Sequence, residues 1–210
     1  VCGEGRRSVA SASSGNIVER IGDEATCSGL LSDAGFSNVT RSLNIIKKLV
    51  RQSSKAGSYD KSRSLLERVT PLFIDEIVKS PEPDRTLVAL DNFVSSLKAG
   101  HAYFSTFLEN PATAGFLIKI LGESKLFTDL LIRHPQAIDS LIAKGVDDGP
   151  KSKDELESLF YERLAYSDDF EDQLNLLRRF KNEQMLTIGV RHLSEYATST
   201  VVRREISDLA

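Results

Sequence analysis

The chain has 210 residues, 40 % apolar and 27 % charged, with a net charge of −3. That length accommodates one or two domains with a substantial core, and the acidic balance argues against a generally adhesive surface for nucleic acid or anionic membrane. No apolar run reaches the roughly 18–20 residues that a membrane-spanning helix needs, and the polar start, Val1-Cys2-Gly3-Glu4-Gly5-Arg6-Arg7, is unlike a signal peptide.

Residues 1 to about 22 are rich in Ser, Gly and Ala and read as an arm or linker. From there the apolar spacing is helical. Val39, Leu43, Ile46 and Val50 recur at steps of four, three and four, with Ser37 or Asn38 as the cap. Leu65, Leu66, Val69, Leu72, Phe73 and Ile77 follow, and Pro71 among them predicts a kink or a restart capped by Thr70. Beyond the Ser80-Pro81-Glu82-Pro83-Asp84 break, Leu87, Leu90, Val94 and Leu97 predict a helix ending near Gly100.

Short, sharply punctuated helices come next. Tyr103 to Leu108 precede the Asn110-Pro111 start signal, Leu117 to Leu121 are stopped by Gly122, and Ser124 opens the helix of Leu126 to Leu131. His134-Pro135 separates that helix from Ile138, Leu141 and Ile142, and Gly145 to Pro150 is the candidate boundary loop. Ser152 with Glu155, and Asp168 with Glu171, have the spacing of capping boxes. The second predicts a long helix to about Tyr196, with Phe170, Leu174, Leu177, Met185 and Ile188 as its apolar stripe, broadened by Leu176 and Phe180. Period-two alternation is never sustained, so no strand is predicted. The fold class is all-α: a multi-helix bundle of about nine or ten helices, including one long helix near the C-terminus.

Residues able to carry chemistry are sparse. His101, His134 and His192 lie in separate segments with no second ligand at helical spacing. Cys2 and Cys27 form neither a CxxC pair nor a disulfide framework, which favours a reducing, cytoplasmic setting. Gly57-Ser58 reads as a loop, because the triphosphate turn of a nucleotidyltransferase is followed by two carboxylates one residue apart on a strand. Here Asp75 and Glu76 are adjacent in a helical segment. No catalytic, cofactor or metal residue is therefore assigned. The one feature left is Arg178, Arg179 and Lys181, a basic cluster able to meet a phosphate or an acidic domain. The bland alternative is a solvated face with Arg179 paired to Glu183.

The ordered punctuation resembles a known family. Ala34-Gly35-Phe36-Ser37-Asn38, Leu65 to Leu72, Pro83-Asp84-Arg85-Thr86-Leu87, Ala102 to Pro111, Gly122-Glu123-Ser124, Arg133 to Leu141 and Leu177 to Glu183 follow the order of glutamine synthetase adenylyltransferases. The matching part is the helical region before the C-terminal nucleotidyltransferase domain, and Ile206 to Ala210 resemble the lead-in to that domain. The family usually carries Asp-Leu where this chain has His192-Leu193, so no role is transferred there. The resemblance implies a bifunctional enzyme that moves AMP from ATP to a tyrosine of glutamine synthetase and removes it by phosphorolysis. Mg2+ or Mn2+ assists, and a PII-type signal protein and glutamine set the balance.

The expected organisation is an arm at 1–22, a helical domain at 23–146, and a long-helix segment at 151–210 leading into an absent nucleotidyltransferase domain. The start at Val1 suggests a piece of a longer polypeptide or a processed chain. Arg178, Arg179 and Lys181 are expected to face the catalytic domain or a bound phosphate, while ATP and Mg2+ belong to the parent enzyme. The alternatives are a helical scaffold binding a protein partner, and a small autonomous enzyme.

Overall fold

A computed structural model describes residues 17–18, 20–51, 61–98, 100–139, 149–167, 169–193 and 197–209. Among them are ten α-helices, one short 3-10 helix and no strand, so the fold is all-α. The contacts group into two compact units, residues 1–128 and 129–210.

The first unit contains α1 (Glu24–Asp33), α2 (Val39–Arg51), α3 (Lys61–Ile77), α4 (Pro83–Ser96), α5 (Gly100–Glu109), α6 (Pro111–Glu123) and the start of α7 (Lys125–Arg133). Asp23 caps α1, its carboxylate accepting from the amide and hydroxyl of Thr26. The helix then closes in a Schellman turn: Phe36 N–H donates to Leu31 O at 3.0 Å and Gly35 N–H to Ser32 O at 3.1 Å. Gly35 has φ +93, a conformation that a β-carbon would strain. Phe36 is thereby buried, and the chain is turned into α2, whose cap is Asn38, with Oδ1 accepting Arg41 N–H at 3.1 Å.

The first turn of α4 then fastens three pieces of chain together. Asp84 accepts from Ser37 N–H at 2.6 Å, Asn38 N–H at 3.3 Å and Ser42 Oγ–H at 2.8 Å, so it serves the amides at the start of α2. Arg85 donates to the carbonyl of Gly122 on α6. Thr86 is buried against the same glycine. A β-carbon at Gly122 would sit 3.0 Å from Thr86 Oγ1 and 3.3 Å from Ser80 Cβ, so the backbones approach there because the side chain is missing. α6 ends at Glu123, one residue past Gly122, whereas Gly100 opens α5 instead of closing α4, which ends at Ser96.

Pro71 neither breaks nor restarts α3, which runs unbroken from Lys61 to Ile77. Thr70 is fully buried and is not a cap; its hydroxyl donates back to Leu66 O at 2.7 Å. The core gathers Phe73, Ile77, Leu90, Phe93, Phe107 and Leu117, with Phe73 and Phe107 edge to face at 5.6 Å. Burying each such side chain contributes about 1.5–3 kcal/mol before entropy is counted.

The second unit contains the end of α7, a 3-10 turn (Pro135–Ile138), α8 (Lys153–Leu164), α9 (Phe170–Leu193) and α10 (Ser199–Leu209). The Ser152–Glu155 capping box is present in both directions. Hydrogen bonds from Thr26 and Ser152 hold the Asp23 and Glu155 carboxyls below their ordinary values. Both caps therefore act at neutral pH and weaken as pH falls through those lowered values. Asp168 and the Gly145–Asp148 part of the boundary loop lie outside the described residues; the acceptor seen at the start of α9 is Asp169, with Oδ2 taking the amides of Glu171 and Asp172. Phe180 packs on Phe160 at 5.5 Å. Arg191 and Glu205, both about 4 % exposed, form an ion pair between α9 and α10, and Glu205 also accepts the amide of Lys151 at 3.3 Å.

Replacing Asp84 by Ala leaves three donors without their acceptor and should cost about 2–3 kcal/mol in urea unfolding at neutral pH. Asp91 sits on the same helix but only pairs at the surface with Lys48, so Asp91→Ala should cost less than about 1 kcal/mol. Equal losses would contradict the role given to Asp84.

Candidate functional site

The predicted basic cluster lies on α9, but the helix divides it. At about 100° per residue, Phe170, Leu174, Leu177 and Lys181 share one face, with Arg178 at its edge, while Arg179 points roughly the opposite way. Arg178, Arg179 and Lys181 are all exposed. Arg178 donates to Asn175 Oδ1 at 3.2 Å. Arg179 lines a narrow cleft with His134, Gln136, Ala137, Asn182 and Glu183.

The expected Arg179–Glu183 pair is not formed. Glu183 instead accepts from Arg163 of α8 at 2.6 Å, and the Arg163 guanidinium lies 5.2 Å from the centre of the Phe180 ring. The carboxylate is largely buried, so it pairs with the cation that packing on Phe180 holds in place rather than with a free side chain on its own helix. The apolar stripe also departs from expectation. Phe170 is 71 % and Leu177 45 % exposed, whereas Phe180, Leu186, Ile188 and Val190 are buried.

The histidines stay apart. His101 and His192 are exposed, and His134 precedes the 3-10 turn, donating its amide to Leu130 O at 2.8 Å. No three described His, Cys, Asp or Glu side chains are grouped as a metal site requires. Gly57-Ser58 lies outside the described residues. Cys27 is buried, its thiol 2.9 Å from the carbonyl of Arg20, and burial pushes its pKa up, which disfavours the reactive thiolate.

A groove of about 560 Å³ runs beside α3 and α6. Its lining includes Glu76, Lys79, Ala112, Gly115, Lys119 and Gly122. Sequence reading missed it, although small residues at 112, 115 and 122 recur at helical spacing, a pattern that leaves one side of a helix shallow. Glu76 lines the groove and pairs with Lys79 at 2.6 Å.

Residues 114–210 match the family model described as glutamate-ammonia ligase adenylyltransferase. Relatives named bifunctional glutamine synthetase adenylyltransferase/adenylyl-removing enzyme align over most of the chain. The protein of Brucella melitensis biotype 1 is 26 % identical over 201 residues, 95 % of this chain and 20 % of its own length. That of Thioalkalivibrio sulfidiphilus is 28 % identical over 81 % of this chain and 18 % of its own length. One from Bradyrhizobium sp. strain ORS 278 is 29 % identical over 77 % and 17 %. The chain thus spans about a fifth of the length of these relatives.

Adjacent to Glu76, Asp75 has a buried Oδ1 with no hydrogen-bond partner among the described residues. Burial raises its pKa, against the opposing pull of Lys79. The charged form is therefore penalised at neutral pH, and the penalty fades as pH falls through the raised folded value toward the unfolded one. Asp75→Asn should raise the urea midpoint at pH 7 and lose that advantage near about pH 3. A gain that persists unchanged in acid would contradict the assignment.

Proposed function

We propose that the chain belongs to the glutamate-ammonia ligase adenylyltransferase family and is a non-catalytic helical part of a longer bifunctional enzyme. The longer enzyme transfers AMP from ATP to glutamine synthetase and removes it again. The carrying observation is coverage: an alignment over 95 % of the chain takes in only 20 % of the relative. The packing roles of the matched motifs support this reading. Asp84, Arg85 and Gly122 each make contacts that hold helices together.

The described residues do not fit a metal–nucleotide centre. Asp75 is half-buried with an unserved oxygen, Glu76 is paired with Lys79, and no third ligand joins them. No step through Mg2+ or ATP is derived from this chain, and both are assigned to the rest of the enzyme. Glutamine synthetase is the proposed target, with a PII-type protein and glutamine as proposed regulators, in the cytoplasm. No described helix is long and apolar enough to cross a membrane.

In this reading the chain is a structural and regulatory connector, with an arm at 1–22, a helical domain at 23–146, and a segment at 151–210 whose long helix α9 positions the adjoining nucleotidyltransferase domain. Arg178 and Lys181 on one face of α9, and Arg179 on the other, contact that domain or a bound phosphate. A second reading, a scaffold for a separate protein partner, draws support from the exposure of Phe170 and Leu177. A gene with no nucleotidyltransferase sequence after Ala210 would favour it.

Charge reversal separates the two faces. In the full-length enzyme, Arg178→Glu with Lys181→Glu, or Arg179→Glu alone, should lower AMP transfer by about tenfold or more at unchanged melting temperature. Unchanged activity in both variants at unchanged stability would overturn the assignment.

A further inference from the structure

The apolar face of α9 is longer than what covers it. Phe170, Leu174, Leu177, Lys181, Gln184, Ile188 and Arg191 alternate at spacings of four and three, which places all seven along one side of the helix. The C-terminal members Gln184, Ile188 and Arg191 are buried. Toward the N-terminus the same stripe is bare: Phe170 and Leu177 are exposed and Leu174 is only half-buried.

The covering helix there is α10. Only five residues separate Leu193 from Ser199, a hairpin-length connection. Glu205, in the second turn of α10, meets Arg191, in the last turn of α9. A helix running onward would carry Glu205 away from Arg191, so α10 runs back along α9. Its inward face consists of Val201, Val202, Glu205, Asp208 and Leu209, while Arg203, Arg204, Ile206 and Ser207 face outward. Each further residue of an antiparallel helix reaches one residue earlier on its partner. Leu209 therefore stops short of the bare stripe.

Resting on the reading that the chain is part of a longer protein, we propose that the helix begun at Ser199 continues past Leu209. It runs antiparallel to α9 for about 16 more residues, or about 24 Å at 1.5 Å per residue, and covers Phe170, Leu174 and Leu177. The added segment carries apolar residues at three–four spacing. Lys181, on the stripe itself, lays its methylenes against the incoming helix and carries its ammonium to the edge. The relatives are about five times as long as this chain, which leaves ample polypeptide for such a segment.

The experiment compares the 210-residue chain with the same chain lengthened by the next 25 or so codons of its gene. Hydrogen exchange of amides 170–181 and sedimentation velocity are measured on both. The lengthened chain should exchange about tenfold more slowly there while both remain monomeric. Leu177→Glu should lower the melting temperature of the lengthened chain and leave that of the 210-residue chain unchanged. A gene that ends at Ala210 overturns both the fragment reading and this inference. A gene that continues, with exchange unaltered and Leu177→Glu harmless in both chains, overturns the inference alone. Self-association of the 210-residue chain that protects the same amides would assign the stripe to a second copy and overturn it as well.

Discussion

The carboxylate of Asp84 accepts from the amides of Ser37 and Asn38 and from the hydroxyl of Ser42, so the first turn of α4 closes the open start of α2. Helix starts present amide donors that their own helix cannot serve, together with the positive end of the dipole. A carboxylate brought from forty-six residues away serves both needs and fixes where two helices cross. Its neighbours extend the junction: Arg85 reaches the carbonyl of Gly122, and Thr86 fills the space that the glycine leaves open. One turn of helix thereby joins the Gly35–Asn38 reversal, the Ser80–Asp84 break and the end of α6.

These stretches are the same ones that carry the family resemblance, and that coincidence bears on function. A motif can mark a catalytic group or a place where backbones must meet in one way. Here the second explanation accounts for the residues individually. Gly35 supplies a positive φ, Gly122 permits a close approach, and Asp84 and Arg85 satisfy main-chain groups. In the second unit the buried Arg191–Glu205 pair acts similarly. Desolvation offsets much of the Coulomb attraction of such a pair, so its contribution is better understood as fixing which turn of α10 meets which turn of α9.

Much of this was legible from local signals whose physics is local. The Ser152–Glu155 box, the Asn38 cap and the three–four apolar steps of α2 depend only on neighbours within a turn or two. The failures have a different origin. Pro71 stays inside α3, where packing places Thr70 and Phe73 in the core despite the missing amide. Glu183 pairs with Arg163, which packing on Phe180 holds in place, rather than with Arg179 on its own helix. Phe170 and Leu177 belong to the apolar stripe yet stay exposed, because periodicity reports which residues share a face, not whether another element covers that face. The groove between α3 and α6 was invisible for a related reason: it needs both helices, and only one of them carries the small residues.

On the proposed reading this chain is a helical framework whose motif residues hold one another in place. The most direct test is to incubate the purified 210-residue chain, shown to be helical and cooperatively folded, with radiolabelled ATP, Mg2+ or Mn2+ and glutamine synthetase, beside a full-length relative as the positive control. Label on glutamine synthetase with the relative and none with the 210-residue chain is the predicted result. Label transferred by the folded chain alone would contradict it.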